Sequence, residues 1–398
     1  MRDRGSVIDF KQTQSAMVIA IAAIFPLVFF FGVLNALPPG FDARNQNSAF
    51  YDDVRQLLSL SQGLSQNAPQ VEEAASSEDP TDKPDVPRAV KNWPQESLGL
   101  GQVSGVSVNS ALQPVVFHRS DRVWDQYTFN ATYHYQNIRL GPIKDHTVLT
   151  LDPQSGKVLG KWGANLFYMP HGLTVDRHDN LWVTDVALHQ AFKFKPGELQ
   201  PALTFGEPFI PGPDSKHLCM PTSVAVATTG EIFIADGYCN SRILKYNAAG
   251  GLLRVIPNPP EFLSLQVPHA LALIEPMDRL CVADRENRRV TCPRAGLYTI
   301  QGKKEPALTI QQPDMGRVFG VAAKGKLVYA VNGPTSSLLP VQGLTIDPQT
   351  ESVIDHWAPE EGFGNPHAIA VCPNGSALYV AEIGPNRVWK FELVPPKK

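Results

Sequence analysis

MPHGLTVDRHDNLWVTD, residues 169–185, carries the pattern that decides the fold. Pro170 and His171 open it, a small residue follows, and an alternating apolar run leads into a turn. A second run, Leu181-Trp182-Val183-Thr184-Asp185, ends on an acid. Alternation with a period of two, bounded by turn residues, reads as paired strands. The same pattern returns at Pro221-Thr222-Ser223-Val224, Pro268-His269-Ala270-Leu271 and Pro366-His367-Ala368-Ile369. Each copy has its own second strand, closing on Asp236, Asp284 and Glu382, and Asn-x-Arg often leads into a third strand such as Arg242–Tyr246.

Spacing supplies the number of units. Pro170 to Pro221 is 51 residues and Pro221 to Pro268 is 47, whereas Pro268 to Pro366 is 98, room for two. A degraded copy fills that gap at Val318-Phe319-Gly320-Val321 with Leu327–Ala330, and another precedes the first at Val103–Val108 with Val115–Phe117. Six units of about 50 residues, each a small sheet, predict an all-β, six-bladed propeller of NHL-like repeats, in which radial packing covers most sheet edges.

Outside the repeats the chain changes character. Ala16–Leu34 is 19 residues without a charge, preceded by Arg2, Arg4 and Lys11. That is long for the apolar part of a cleaved signal and close to the length of a membrane span. Residues 1–36 are therefore a signal peptide or a retained signal-anchor, with the rest of the chain lumenal in both cases. Residues 37–97 are polar and poor in aromatics, with acidic, Ser, Thr and Pro residues mixed between Glu72 and Val86, and read as a flexible stalk. The propeller is expected over 98–395.

Charge is nearly balanced, 35 basic against 38 acidic residues, which argues against a nucleic-acid partner. The 35 Pro and 30 Gly favour turns over long helices. Five cysteines fit an oxidising compartment and leave one thiol over. Asn130-Ala-Thr132 and Asn374-Gly-Ser376 are glycosylation sequons.

His171, His269 and His367 stand at one place in their repeats, 98 residues apart each time. They fall in units two, four and six, so a closed ring sets them about 120° apart around its axis. Units three and five carry Thr222 and Phe319 there, so histidine is not simply the consensus. Three converging imidazoles suit zinc and leave a fourth position open, as catalytic sites do.

Around these residues the chain resembles the peptidyl-α-hydroxyglycine α-amidating lyases. FYMPHGLTVD, LWVTDVALHQAFKF, ADGYCNSRI and LCVADRENRR carry the likeness, which runs from about Gly101 to Leu393. The resemblance implies a zinc-dependent carbon–nitrogen lyase that converts peptides ending in α-hydroxyglycine into amidated peptides and glyoxylate, as in neuropeptide and hormone maturation. It implies His171, His269 and His367 as zinc ligands, and catalytic roles for Tyr238, Arg119 and Arg285. Tyr238 follows one strand end, and Arg285 stands at the matching place one blade later. It also implies disulfides Cys219–Cys239 and Cys281–Cys292, leaving Cys372 free. In this family the activity is often fused behind a copper monooxygenase. Nothing here resembles that domain, which implies coupling to a separate copper peptidylglycine monooxygenase.

Two departures stand out. The family holds a calcium ion with backbone carbonyls, matched here by Val106 and Leu173, and an Asp after its last Pro-His. Here that residue is Ala368, which leaves calcium open. Asn365 also replaces a family Met. In the implied reaction zinc stabilises developing charge, Tyr238 is the general base, and Arg119 or Arg285 grips the terminal carboxylate. Two other classes remain: an NHL propeller serving as a non-catalytic protein-binding platform, and a calcium-dependent lactonase. The alternate-blade histidines speak against both.

Overall fold

The computed structural model describes residues 84–257, 263–298 and 305–396. The apolar segment 16–34 and the expected stalk up to residue 83 lie outside the described residues. Among the described residues no helix is long and apolar enough to cross a membrane.

Strand β1 (Val86–Ala89) comes first and belongs to the last sheet. Blade 1 follows as β2 (Val103–Val108), β3 (Pro114–His118), β4 (Val148–Leu151) and β5 (Val158–Trp162). Blade 2 is β6 (Pro170–Val175), β7 (Leu181–Asp185), β8 (Gln190–Phe194) and β9 (Leu203–Phe205). Blade 3 is β10 (Ser223–Val226), β11 (Ile232–Asp236), β12 (Arg242–Tyr246) and β13 (Leu252–Ile256). Blade 4 is β14 (Pro268–Ile274), β15 (Arg279–Asp284), β16 (Arg289–Cys292) and β17 (Leu308–Ile310). Blade 5 is β18 (Arg317–Lys324), β19 (Leu327–Gly333), β20 (Gly343–Asp347) and β21 (Ser352–Trp357). Blade 6 is β22 (Pro366–Val371), β23 (Ala377–Ile383) and β24 (Asn386–Val394), with β1 added at its outer edge.

All six sheets are four-stranded and antiparallel, and the chain is the expected six-bladed propeller. The innermost strands β2, β6, β10, β14, β18 and β22 neighbour one another in turn, and β22 meets β2 to close the ring. Closure has a second fastening: Val86↔Val394 through Ala89↔Phe391 pair the start of the described chain with its end. These four residues were expected in the stalk, which was to run to residue 97. They carry Pro87 and lie outside the repeat phase, so no periodicity marks them; β24 supplies the partner that makes them a strand.

The core lies between blades. Val318, Val328, Ala330 and Ile346 of blade 5 pack on Ile274, Ala283, Val290 and Ile310 of blade 4. Phe117 and Val148 of blade 1 pack on Val183 and Phe192 of blade 2. The inner strands are thus covered on both faces, and a second strand such as blade 3's is apolar without interruption over Ile232–Ala235.

The acid closing each second strand fixes the loop that delivers the innermost strand. Asp185 accepts hydrogen bonds from the amides of Tyr168 (2.6 Å) and Met169 (2.9 Å), just before Pro170-His171. Asp284 accepts from Gln266 N, and Glu382 from Gly364 N and Asn365 N. Asn-x-Arg completes the motif, because Asn240 and Arg242 donate to Asp236 while Asn287 and Arg289 donate to Asp284. In blades 5 and 1 the acid is replaced. Asn332 takes Gln342 N and donates to Met315 O and Pro340 O. His118 accepts from Gly101 N and Ser120 N on Nδ1 and faces His146 O with Nε2. Every one of the six residues is buried. These buried backbone groups would otherwise lack partners, which is why the position is polar in an apolar core.

Candidate active site at the propeller hub

His171, His269 and His367 meet at the axis. Their ring centroids stand 4.9, 4.8 and 4.7 Å apart, a nearly equilateral triangle. One ring nitrogen from each lies within 4.8 Å of the others, and all three side chains are buried. Each Nδ1 faces a backbone carbonyl of the next blade: Thr222 O at 2.8 Å, Phe319 O at 2.6 Å and Ser104 O at 2.7 Å. A carbonyl only accepts, so each Nδ1 carries the proton and each Nε2 keeps its lone pair. Those carbonyls belong to the residues at the histidine position of the odd blades. The even blades bring the rings, and the odd blades set their tautomer.

Burial, above all, holds the imidazoles of His171 and His269 well below their ordinary value of 6.5 and brings His367 down to about 3. The rings are therefore neutral at physiological pH, the form that ligates metal. A neutral, pre-oriented set of three nitrogens fits a metal ion with nitrogen preference.

Tyr238 stands beside this triangle. Its hydroxyl is 3.2 Å from His171 Nε2 and 3.3 Å from His269 Nε2, and it accepts from Arg285 Nη1 at 3.3 Å. Two features put it there. Cys239 next door is bonded to Cys219, and Gly237 before it lets the chain pass close to blade 4, since a Cβ at Gly237 would lie 2.3 Å from Pro268 O. The second disulfide, Cys281–Cys292, joins β15 to β16 within the core, and Cys372 is free and buried.

The two arginines share one repeat position, immediately after the residue that closes the second strand. Arg119 follows His118 in blade 1, and Arg285 follows Asp284 in blade 4, on opposite sides of a six-membered ring. Arg285 thus matches Gly237, not Tyr238; the tyrosine lies one residue further along. The periodicity that found the histidines could have found this pair. Their surroundings differ. Arg285 is stacked 5.0 Å from both the Tyr238 and Phe319 rings and is ion-paired with Glu286 at 2.9 Å. Arg119 is 1% exposed and has neutral partners, Pro170 O at 2.9 Å and Gln102 Oε1 at 2.7 Å. Burial pulls its guanidinium down to about 10, and it lies 5.2 Å from the Trp124 ring centre.

Trp124 had no role assigned from sequence, yet it borders the hub, 5.0 Å from the Tyr238 ring and 6.1 Å from His171. It sits in the long excursion between β3 and β4, which has no repeat phase. Phe319, at the ring position in blade 5, also borders the hub, 5.1 Å from His269.

From the histidines a cavity of about 70 Å³ runs along the innermost strands, lined by Val106, Leu173 and Ala368 among others. No carboxylate lines it. The residues present do not fit calcium, which prefers several hard oxygen ligands including carboxylates. Asn130 and Asn374 are both exposed, in turns where their side chains accept from Thr132 and Ser376 respectively.

The NHL repeat family model matches residues 218–246, which take in the inner three strands of blade 3. Peptidyl-alpha-hydroxyglycine alpha-amidating lyase 2 of Drosophila melanogaster is 61% identical over 311 residues, covering 77% of this chain and 76% of that protein. Peptidyl-glycine alpha-amidating monooxygenase A of Xenopus laevis is 42% identical over 316 residues, covering 75% of this chain and 32% of the relative. Among solved structures, a gluconolactonase from Xanthomonas campestris superposes with a TM-score of 0.50 at 15% identity, covering 79% of this chain and 96% of that one. At that identity the last likeness speaks to the fold alone.

Proposed function

This chain belongs to the peptidyl-α-hydroxyglycine α-amidating lyases, and on that premise we propose that its hub cleaves the C–N bond of peptides ending in α-hydroxyglycine, with zinc held by His171, His269 and His367. The observation that carries the reading is the triangle of neutral imidazoles with the Tyr238 hydroxyl 3.2 and 3.3 Å from two of its Nε2 atoms. A binding platform would have no use for buried histidines kept neutral in this way. Zinc bound there supplies Lewis acidity and compensates negative charge developing beside it.

The chain's own residues divide the remaining work. Tyr238, acting as the phenolate, takes the proton of the substrate's α-hydroxyl and becomes the phenol. The C–O bond becomes a carbonyl, the C–N bond breaks, and the nitrogen leaves with its electron pair. Tyr238 then returns the proton to that nitrogen, giving the amide and glyoxylate, and the enzyme ends as it began. Arg285 supports the exchange, because the hydrogen bond it donates to the Tyr238 oxygen is strongest when that oxygen carries charge. Arg119, whose guanidinium makes no ion pair among the described residues and bonds only to Pro170 O and Gln102 Oε1, grips the terminal carboxylate. Trp124 walls the hub and keeps water away from these charges.

The two disulfides fit an oxidising compartment. In our reading the propeller matures in the secretory pathway, secreted or anchored through residues 16–34, with glycans on Asn130 and Asn374. It takes its substrate from a separate copper peptidylglycine monooxygenase. The test is glyoxylate release from a synthetic α-hydroxyglycine peptide. Wild type forms glyoxylate and amidated peptide in equal amounts, and Tyr238→Phe binds the metal normally but turns over at least about 100-fold more slowly. Undiminished turnover by Tyr238→Phe would remove the tyrosine from the mechanism; no glyoxylate from the metal-loaded wild type would end the lyase reading.

A further inference from the structure

We infer that Gln102 is the positioning residue that aims Arg119 at the substrate carboxylate, and that its neutrality is what keeps the site selective for a charged terminus. The inference rests on the lyase reading above.

Gln102 ends the loop that enters β2. It stands at the repeat position occupied by Met169, Met220 and Val267 in blades 2, 3 and 4. The position is polar in blades 5 and 6, as Arg317 and Asn365, and in blade 1 the amide oxygen takes two donors. Gln102 Oε1 accepts from Arg119 Nη1 at 2.7 Å and from the Trp124 amide at 3.0 Å. The Gln102 carbonyl accepts from the Arg119 amide at 3.0 Å. One residue thus ties down the arginine's backbone, its guanidinium, and the loop that brings the tryptophan beneath it.

Arg119 has a further anchor, Nε to Pro170 O at 2.9 Å, which links it to the residue before His171. Nη2 is left over: it is buried, and among the described residues no hydrogen-bond partner meets it. An unsatisfied donor on a buried cation costs more than one on a neutral group, so such an atom marks a place for an acceptor to arrive. Arg119 also lies over the Trp124 ring, 5.2 Å from its centre, and that ring stands 6.1 Å from His171. A carboxylate at Nη2 would therefore sit beside the histidines.

The chemistry of the acceptor matters. A glutamate in place of Gln102 would make the same two hydrogen bonds with the same shape. It would also neutralise Arg119, leaving nothing for the substrate's charge to answer. Glu286 already does this for Arg285. The amide orients without neutralising.

Gln102→Glu separates positioning from mere structural support. With the full-length, zinc-loaded enzyme, it raises KM for an α-hydroxyglycine peptide at least about tenfold, and kcat changes less than KM. Calorimetry supplies a reading independent of turnover. Wild type binds a glycine-extended peptide, which carries the carboxylate, more tightly than the same peptide ending in glycinamide; in Gln102→Glu that preference disappears. Gln102→Met, neutral but without the acceptor, weakens the preference with a smaller rise in KM, and serves if the glutamate variant does not fold. Wild-type KM and an intact preference in either variant would overturn the proposal. Failure of the wild type to release glyoxylate would instead sink the lyase reading, and the binding preference would still judge Gln102.

Discussion

A neutral imidazole is defined by where its proton goes, and in this protein the backbone decides. The carbonyls of Thr222, Phe319 and Ser104 fix three tautomers at once and turn three lone pairs toward the axis. A fourth histidine shows what burial alone does. His189 is fully buried, accepts from Met220 N on Nδ1, and is lowered to about 4, chiefly by desolvation. Its folded value is below the ordinary 6.5, so the stability it lends is complete above pH 6.5 and is lost as pH falls from there toward 4. His189→Gln keeps an acceptor for Met220 N and cannot charge. Urea midpoints measured from pH 7 to 4 should therefore drop more steeply for wild type than for the variant; parallel curves would contradict this. The three hub histidines were legible in the sequence because they share a phase of 98 residues. Gln102 and Trp124 were not, since their roles depend on hydrogen bonds and stacking across loops that obey no repeat.

At the level of the element, the site stands on loops tied to strand ends by buried polar side chains. Asp185, Asp284 and Glu382 each hold the loop that leads into a histidine-bearing strand. This acid was visible in the repeat; its purpose was not, because nothing in a sequence says which amides a carboxylate will meet. Substitution by Asn332 and His118 in two blades shows that the requirement is for hydrogen bonds, not charge. The disulfides offer a contrast between elements. Cys219–Cys239 clamps the loop that carries Tyr238, whereas Cys281–Cys292 braces two core strands. Replacing either pair by alanine should cost about 3 kcal/mol of stability for loops of this length. Only the Cys219/Cys239 double variant should also lower kcat, by several-fold with metal content intact, as read by thermal midpoints and glyoxylate release. Equal kinetic losses from both pairs would mean that the clamp has no special part in placing Tyr238.

Across the whole molecule, six-fold repetition explains why the site is at the centre and why so few residues build it. One position in each blade faces the axis, and alternation between histidine and a carbonyl-donating residue yields a threefold ring from a sixfold scaffold. Both the blade count and the phase came from the sequence, because period and spacing survive folding unchanged. Closure by Val86–Ala89 did not, as a four-residue strand outside the repeat has no pattern of its own. Nor is calcium supported once Ala368 lines a cavity without carboxylates. The proposed chemistry needs a metal on the three hub histidines, and elemental analysis of purified protein tests that most directly. Wild type should carry about one zinc per chain, and His269→Ala should lose it while keeping its circular dichroism and its melting cooperativity. Zinc retained at full stoichiometry by a folded His269→Ala protein, or an active wild type that carries none, would contradict it.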